Sequence, residues 1–542
     1  MSRGNGGWWA PMVLALLPLA CSEDDATAGL ICTPGQATAC TVPGACIGTQ
    51  VCAADGMAYG PCDCGGGGSA GNGGAAGAGG GGAGGAGTCS DGLLSEGETD
   101  VDCGGDTSSC PRCAIDQTCA QGADCESTLC VNQVCQPVPT GATWYLSPDG
   151  DDATGDGSLA NPWFTLAAAW SHLSAGDMLY CRGGTYAYPS KQTLSGTNGS
   201  SQDVIRIWAY PRETPNFTRT AAFDPGGWPQ ELIFFMGDWF HWKGLEISNM
   251  VQTGPTAEES AGGMCIYDAN HNIFERFNYH HNAEQLRIDD TSTGNLVLNS
   301  DFHHNSDPYS ADAYGNADGV AINFTASGTT NTIRGCRMWW NSDDGVDMYS
   351  NDSEVLIENC WSFYNGYVPD TFDAAGDGNG FKAGKSDETH ASVLVTYKNC
   401  LAYKNRTVGF HQNGLDAPVA IYNSIAFLNE LEGYWFGEFD HPNVFTNDIS
   451  YANGSDPFLV SGTVTTSTFL LDGSNDASFS VSDADFASLI DSELTAPRKA
   501  DGSLPDITFL HLAAGSELID AGTDVGLPYL GSAPDLGPFE RQ

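Results

Sequence analysis

The stretch Asn399-Cys-Leu-Ala-Tyr-Lys-Asn405 recurs along the chain with its last asparagine kept. Aligned with it are Arg276-Phe-Asn-Tyr-His-His-Asn282, Asn299-Ser-Asp-Phe-His-His-Asn305, Gly335-Cys-Arg-Met-Trp-Trp-Asn341, Asn359-Cys-Trp-Ser-Phe-Tyr-Asn365, Asn423-Ser-Ile-Ala-Phe-Leu-Asn429 and Asn447-Asp-Ile-Ser-Tyr-Ala-Asn453. The terminal asparagines are spaced 23, 36, 24, 40, 24 and 24 residues apart, a period near 24 with insertions before Asn341 and Asn405. Between them lie short period-2 apolar runs, such as Asn295-Leu-Val-Leu, Val355-Leu-Ile-Glu and Val419-Ala-Ile-Tyr, bounded by Asn, Asp and Gly. Short strands separated by turns at a fixed period predict a parallel β-helix, each unit being one coil. Stacked asparagines suit a turn, because their amides tolerate left-handed backbone and hydrogen-bond the equivalent residue in the next coil.

Outward from the repeats, Thr165-Leu-Ala-Ala-Ala-Trp-Ser-His-Leu173 carries an N-cap, apolar residues at i, i+4 and i+7, and Gly176 as a stop, which predicts a cap helix. Cys336, Cys360 and Cys400 share one repeat position and are expected to stack inside as small hydrophobes, with Cys181 and Cys265 buried likewise. The paired histidines His280, His281, His303 and His304 repeat at one ladder position, which favours packing over metal binding. The expected class is all-β: a parallel β-helix solenoid over 143–542 with an N-terminal cap helix.

The first 140 residues read as display hardware. Arg3 precedes a 13-residue apolar run, Trp8 to Ala20, too short to span a bilayer and suited to a secretory signal peptide over 1–20. The ending Leu17-Pro18-Leu19-Ala20-Cys21 resembles the lipobox of bacterial lipoproteins, which implies that Cys21 is acylated and holds the protein on the outer membrane or cell surface. A soluble secreted product is the alternative. A tether and Cys-rich module follow over 21–64, then a linker over 65–87 with 15 glycines in 23 residues, then a second Cys-rich module over 88–136. Six cysteines in 32–64 and eight in 89–135 predict small disulfide-rich modules, and with no histidine in 21–135 a metal role for Cys110-Pro-Arg-Cys113 is disfavoured.

With 20 Lys+Arg against 67 Asp+Glu the net charge is −47, which disfavours nucleic acid or an anionic membrane surface as a partner. The two insertions hold residues that the ladder does not need. Asp318 and the run Asn341-Ser-Asp-Asp-Gly-Val-Asp347 fall about one coil apart, and the run Gly376-Asp-Gly-Asn-Gly-Phe-Lys382 follows. Gathered carboxylates at Asp318, Asp343, Asp344 and Asp347 would repel unless a hard divalent cation sat among them, and Ca²⁺ is the candidate. Around Lys382, residues 378–411 hold five basic and two acidic side chains, so Lys385 and Arg406 could pair with substrate carboxylates, and His411 could donate to a sugar.

The motifs NSDDGVD, GNGFK and Asn405-Arg-Thr-Val-Gly-Phe-His-Gln-Asn413 resemble polysaccharide lyase family 9, the pectate lyases built on a right-handed parallel β-helix. The resemblance covers 143–542. It implies that the aspartates matching Asp318, Asp343, Asp344 and Asp347 bind Ca²⁺ and that the lysine matching Lys382 is the Brønsted base of a β-elimination on polygalacturonate. The expected partner is an acidic polysaccharide such as pectate, acted on by a monomer. A lyase for another uronate polymer such as alginate, and a non-catalytic β-helix glycan-binding surface protein, are the alternatives.

Overall fold

A computed structural model describes residues 37–42, 46–51, 94, 98–105, 110–224, 230–254, 261–386, 393–471, 474 and 479–541. The signal peptide, Cys21, the Gly-rich linker and most of the first Cys-rich module lie outside the described residues. The chain divides into two compact units, Met1–Gly85 and Ala86–Gln542. In the first, Ala37–Val42 pairs antiparallel with Cys46–Val51.

In the second unit, three parallel sheets run along the molecule, with 10, 10 and 12 strands among the described residues. Successive strands of one sheet come from successive coils, so each coil contributes one strand to each sheet. The coil around the site reads Val346–Tyr349, Val355–Glu358 and Trp361–Phe363, each paired in parallel with its equivalent before and after. A parallel ladder with its inner face buried reads as apolar at alternate positions, and Val346, Met348, Val355 and Ile357 all point into the core. The cap helix is Leu166–Trp170. Thr165 is its N-cap, accepting a hydrogen bond from the Ala168 amide, and Leu166, Ala169 and Trp170 are buried over the open end of the core.

The asparagine ladder is continuous from Asn282 to Asn453. Asn365 Nδ2 donates to Asn405 Oδ1 at 3.0 Å, Asn405 Nδ2 to Asn429 Oδ1 at 3.0 Å, and Asn429 Nδ2 to Asn453 Oδ1 at 2.9 Å. Each Oδ1 also accepts the backbone N–H of the preceding ladder residue, for example Asn365 N at 3.2 Å from Asn405. One detail differs from the sequence expectation. The left-handed residue of each turn is the one before the ladder asparagine: His281, His304, Trp340, Tyr364, Lys404, Leu428 and Ala452 have φ between 51° and 59° or, for Lys404, 47°. Within the repeats, the asparagines that adopt positive φ are those opening the unit, Asn299, Asn359, Asn399, Asn423 and Asn447. The ladder residues serve as hydrogen-bond bridges, the opening ones as backbone pivots.

Cys336, Cys360 and Cys400 are fully buried free thiols at one repeat position, and Cys181 and Cys265 are buried too. The paired histidines stack coil upon coil, His280 on His303 at 4.9 Å and His281 on His304 at 5.2 Å, with Trp339 continuing the column 4.2 Å from His303. The second Cys-rich module carries Cys103–Cys113, Cys119–Cys130 and Cys125–Cys135, and Cys110 is disulfide-bonded as well, so the Cys110-Pro-Arg-Cys113 pair is structural. This module docks on the early coils. Asp116 pairs with Lys243 and lies 3.2 Å from Arg276, Asn132 Nδ2 donates to Pro211 O at 2.7 Å, and Tyr180 Oη donates to Gln136 Oε1 at 3.1 Å.

Candidate active site

The site lies on the sheet that contains Val320–Asn323, Val346–Tyr349, Phe381–Lys382, Phe410–His411 and Tyr434–Phe436. Strand alternation decides what faces out. Phe381, Phe410 and Tyr434 point inward and stack at 5.0 Å intervals, a buried aromatic column that fixes the register. Their neighbours Lys382, His411 and Trp435 consequently point outward from adjacent coils, and Asp347, which follows inward-facing Val346, stands beside Lys382.

The four aspartates named from the sequence converge on Lys382. Its Nζ lies 2.9 Å from Asp344 Oδ2 and 3.5 Å from Asp347 Oδ2. Oxygens of Asp318, Asp344 and Asp347 come within 4.8 Å of one another, and so do oxygens of Asp343, Asp344 and Asp377. The backbone holds the group: Asp318 Oδ1 accepts the Asp344 amide at 2.9 Å, Asp343 Oδ1 the Asp377 amide at 2.5 Å, and Asp344 Oδ1 the Asn379 amide at 2.5 Å.

Burial, then repulsion from their neighbours, raises the carboxyls of Asp318 and Asp343 well above the ordinary carboxylate range. Burial raises Asp347 to about 6 against the pull of Lys382. Burial alone would lower the Lys382 ammonium, but Asp344, Asp347, Asp343 and Asp318 together hold it up, and the net shift is upward. Asp344 Oδ2 and Asp347 Oδ1 are buried without a partner in hydrogen-bonding geometry, although Asp344 Oδ2 is at ion-pair distance from Lys382. Buried carboxylate oxygens that repel one another and lack donors are a donor set for a hard cation.

The insertions wall a cleft of about 520 Å³ over this floor, lined among others by Asp343, Asp347, Lys382, Lys385 and Arg406. Lys385 and Arg406 thus share the cleft with Lys382. Lys385 stands over the Tyr349 ring at 5.9 Å, and Arg406 Nη1 donates to Gly376 O at 2.5 Å, so the guanidinium also braces the loop above the floor. His411 is one coil further on, beside a second hollow, with its imidazole pushed down to about 4 chiefly by burial.

Two neighbours were not assigned a role from sequence. Asp377 approaches Lys382 at 3.4 Å with a largely exposed carboxylate, and Asn379 Nδ2 donates to Asp344 Oδ1 at 2.9 Å. Their signal was present in the Gly376-Asp-Gly-Asn-Gly-Phe-Lys382 run, where glycines flank both. Gly378 has φ of 76°, and an added Cβ would fall 2.7 Å from the Arg406 Cβ and the Gly366 Cα, so the turn that aims them admits no side chain there.

A parallel β-helix whose inserted loops close a cleft over buried aspartates and a lysine has the architecture of a polysaccharide lyase. Residues 144–454 match the family described as "Pel9A-like, right handed beta helix region", and the chain belongs to that family. It is 32% identical over 437 residues to pectate lyase L of Dickeya dadantii (strain 3937), covering 79% of this chain and 96% of that protein. It is also 32% identical over 422 residues to pectate lyase L of Paenibacillus polymyxa (strain SC2), covering 70% and 84%. Among solved structures, pectate lyase Pel9A is similar with a TM-score of 0.60 and 29% identity over 75% of this chain and 98% of its own. A rhamnogalacturonan lyase follows with a TM-score of 0.59 and 28% identity over 69% and 97%. The protein is an enzyme of the lyase class.

Proposed function

We propose that this protein is a Ca²⁺-dependent pectate lyase that cleaves polygalacturonate by β-elimination, with Lys382 as the base. The observation that carries the reading is the apposition of Lys382 Nζ to Asp344 and Asp347 on the floor of a cleft that also holds Lys385 and Arg406. A base must take the C5 proton of a uronate while charge develops on its C6 carboxylate and the bond to O4 at the β position breaks. Asp318, Asp343, Asp344 and Asp347 are the residues that would hold Ca²⁺. Once bound, the ion supplies electrostatic stabilisation to the charge developing on the substrate carboxylate.

Lys382 can accept a proton only when neutral. The carboxylates that now hold it protonated must first have their charge matched, so metal binding and competence of the base are linked. Lys385 is placed to receive a second substrate carboxylate, while Arg406 keeps the 376–377 loop in position over the cleft. On the sequence features of 1–21, the enzyme is exported and held at the outer membrane or cell surface through Cys21.

The test is to incubate the purified full chain with de-esterified polygalacturonate, with Ca²⁺ and then with chelator, following the ultraviolet absorbance of the 4,5-unsaturated product. A rise that depends on Ca²⁺ and is lost in Lys382→Ala supports the reading. Full turnover by Lys382→Ala would sink the base assignment. No product from polygalacturonate by a folded protein would shift the substrate to rhamnogalacturonan, alginate or another uronate polymer.

A further inference from the structure

The cleft over Lys382 adjoins a second hollow, and Asp377 lines both. Outward-facing residues in register from Lys382 are His411, Trp435 and Phe458, each on the next coil. Parallel strands lie about 4.8 Å apart, close to the advance of one pyranose in an extended polymer, so each coil can serve one sugar. Trp435 is half-buried, its ring 4.8 Å from His411 at 71°, and 6.1 Å from Phe458 at 31°; Phe458 itself is 49% exposed. An indole held on edge by a histidine and extended by an exposed phenyl ring presents an apolar surface in line with the catalytic lysine, on a part of the sheet that no core contact requires to be aromatic.

Beside this surface lies a hollow of about 280 Å³, whose lining includes Val408, Leu431, Trp435, His411, Asp377 and Glu432. It differs from the cleft in its cations. The cleft sets three cations, Lys382, Lys385 and Arg406, among the carboxylates of Asp312, Asp343, Asp347 and Asp377. The hollow has no cation among its lining residues, and its two charged members are carboxylates. Asp377 stands at the boundary and lines both.

We propose that Trp435 is the stacking platform of a distal sugar subsite, two coils from Lys382, and that this subsite takes a sugar carrying no charge, either a methyl-esterified uronate or a neutral residue. The inference rests on the lyase reading above. The C–H face of a pyranose covers the indole and removes apolar surface from water on both sides. A free carboxylate at the same place would be brought against Glu432 and Asp377, a like-charge contact that favours the uncharged residue. The enzyme thus reads a charge pattern along the polymer, acidic at Lys382 and neutral at Trp435.

The experiment compares the full-length protein with Trp435→Ala, Trp435→Phe and Glu432→Gln at one fixed Ca²⁺ concentration. The substrates are polygalacturonate, a partly methyl-esterified pectin made from the same polymer, and rhamnogalacturonan, with melting curves to confirm folding. The wild type is expected to have a higher kcat/KM on partly esterified pectin than on polygalacturonate. Trp435→Ala should lose about tenfold on the esterified polymer, about 1.4 kcal/mol, through KM with kcat held within about twofold. Trp435→Phe should recover most of that loss. Glu432→Gln should raise kcat/KM on polygalacturonate and narrow the gap between the two polymers.

A Trp435→Ala enzyme with unchanged KM would overturn the platform. A wild type that prefers polygalacturonate, with Glu432→Gln indifferent, would overturn the charge selection. Preference for rhamnogalacturonan over esterified pectin would identify the neutral sugar as the occupant. If the wild type yields no unsaturated product from any of the three, the lyase reading fails first. Retardation of wild type and Trp435→Ala in gels containing each polymer then still decides the subsite: equal retardation refutes it, and weaker retardation of the variant supports it.

Discussion

Replacing Lys382 by methionine keeps most of the side-chain volume and removes the ammonium, which separates its two roles. The lysine is 9% exposed, its Nζ 2.9 Å from the fully buried carboxylate of Asp344, 3.5 Å from Asp347 and 3.4 Å from Asp377. Among the described residues it is the one cation at ion-pair distance from these acids, so without metal its loss leaves buried negative charge uncompensated, a change that costs about 3–5 kcal/mol when one partner of a buried pair is deleted. For a domain of this size, about 2 °C per kcal/mol or less is expected, hence a fall of up to about 6–10 °C in chelator. Saturating Ca²⁺ should recover most of it, because the carboxylates are then matched without the lysine. The metal-induced rise in melting temperature should therefore be larger in Lys382→Met than in the wild type. Lys382→Arg is the control: arginine keeps the cation and the stability but does not give up its proton, so turnover should fall about 10²–10⁴-fold with the melting temperature little changed. Thermal scans with and without chelator, alongside unsaturated-product assays, read both effects. If chelated Lys382→Met melts with the wild type, or if Ca²⁺ raises both equally, Lys382 is not the internal counter-ion of these carboxylates.

Asn405→Ala removes two acceptor contacts from Asn365 and two donor contacts, to Ser362 O and Asn429 Oδ1, and at about 1 kcal/mol each should destabilise by about 4 kcal/mol in denaturant unfolding. Burial, then the charges of His304 and His280, pushes His303 down to about 2, and His280 and His281 are lowered as well. Their folded forms are neutral while the unfolded imidazoles titrate near 6.5, so this stability is complete above about pH 6.5 and drains away as pH falls toward 2. At about pH 5 His303 alone accounts for about 2 kcal/mol, and His303→Gln should lose less stability than the wild type between about pH 7.5 and pH 5. Arg406→Lys removes the guanidinium that donates to Gly376 O, and initial rates should show KM raised several-fold with a smaller change in kcat, whereas an equal fall in both kcat and kcat/KM would place Arg406 in the chemistry itself.

The coil architecture was legible because the ladder imposes one requirement on every turn. The amide at Asn405 has to meet those at Asn365 and Asn429, so the same residue type recurs whatever the insertion between coils. Alignment alone does not say which residue of the turn takes the left-handed backbone, since the positions before the ladder are as different as His304, Lys404 and Ala452. The aspartates and Lys382 were readable because they sit in short glycine-bounded runs. Trp435 was not. It belongs to an ordinary repeat, and its place in the groove follows only from the aromatic column that aligns Tyr434 with Phe410 and Phe381. The docking of the second Cys-rich module was equally hidden, for Asp116 and Lys243 are 127 residues apart and nothing in the sequence around either marks it for burial.

The same geometry resolves how a chain of net charge −47 can act on a polyanion. At the cleft, Asp312, Asp318, Asp343, Asp344, Asp347 and Asp377 stand against Lys382, Lys385 and Arg406, six carboxylates to three cations, a formal balance of −3 that one divalent ion cuts to −1. The acidity of the site is thus a means of making affinity for an acidic polymer conditional on metal. Away from the cleft the balance is not corrected: Glu432 beside Trp435 has no cation among the residues of its hollow. A polymer with charge at every residue gains from the metal at one point and meets repulsion two coils later, whereas one with interrupted charge gains at both. The groove is in that sense matched to a pattern along the chain rather than to total charge.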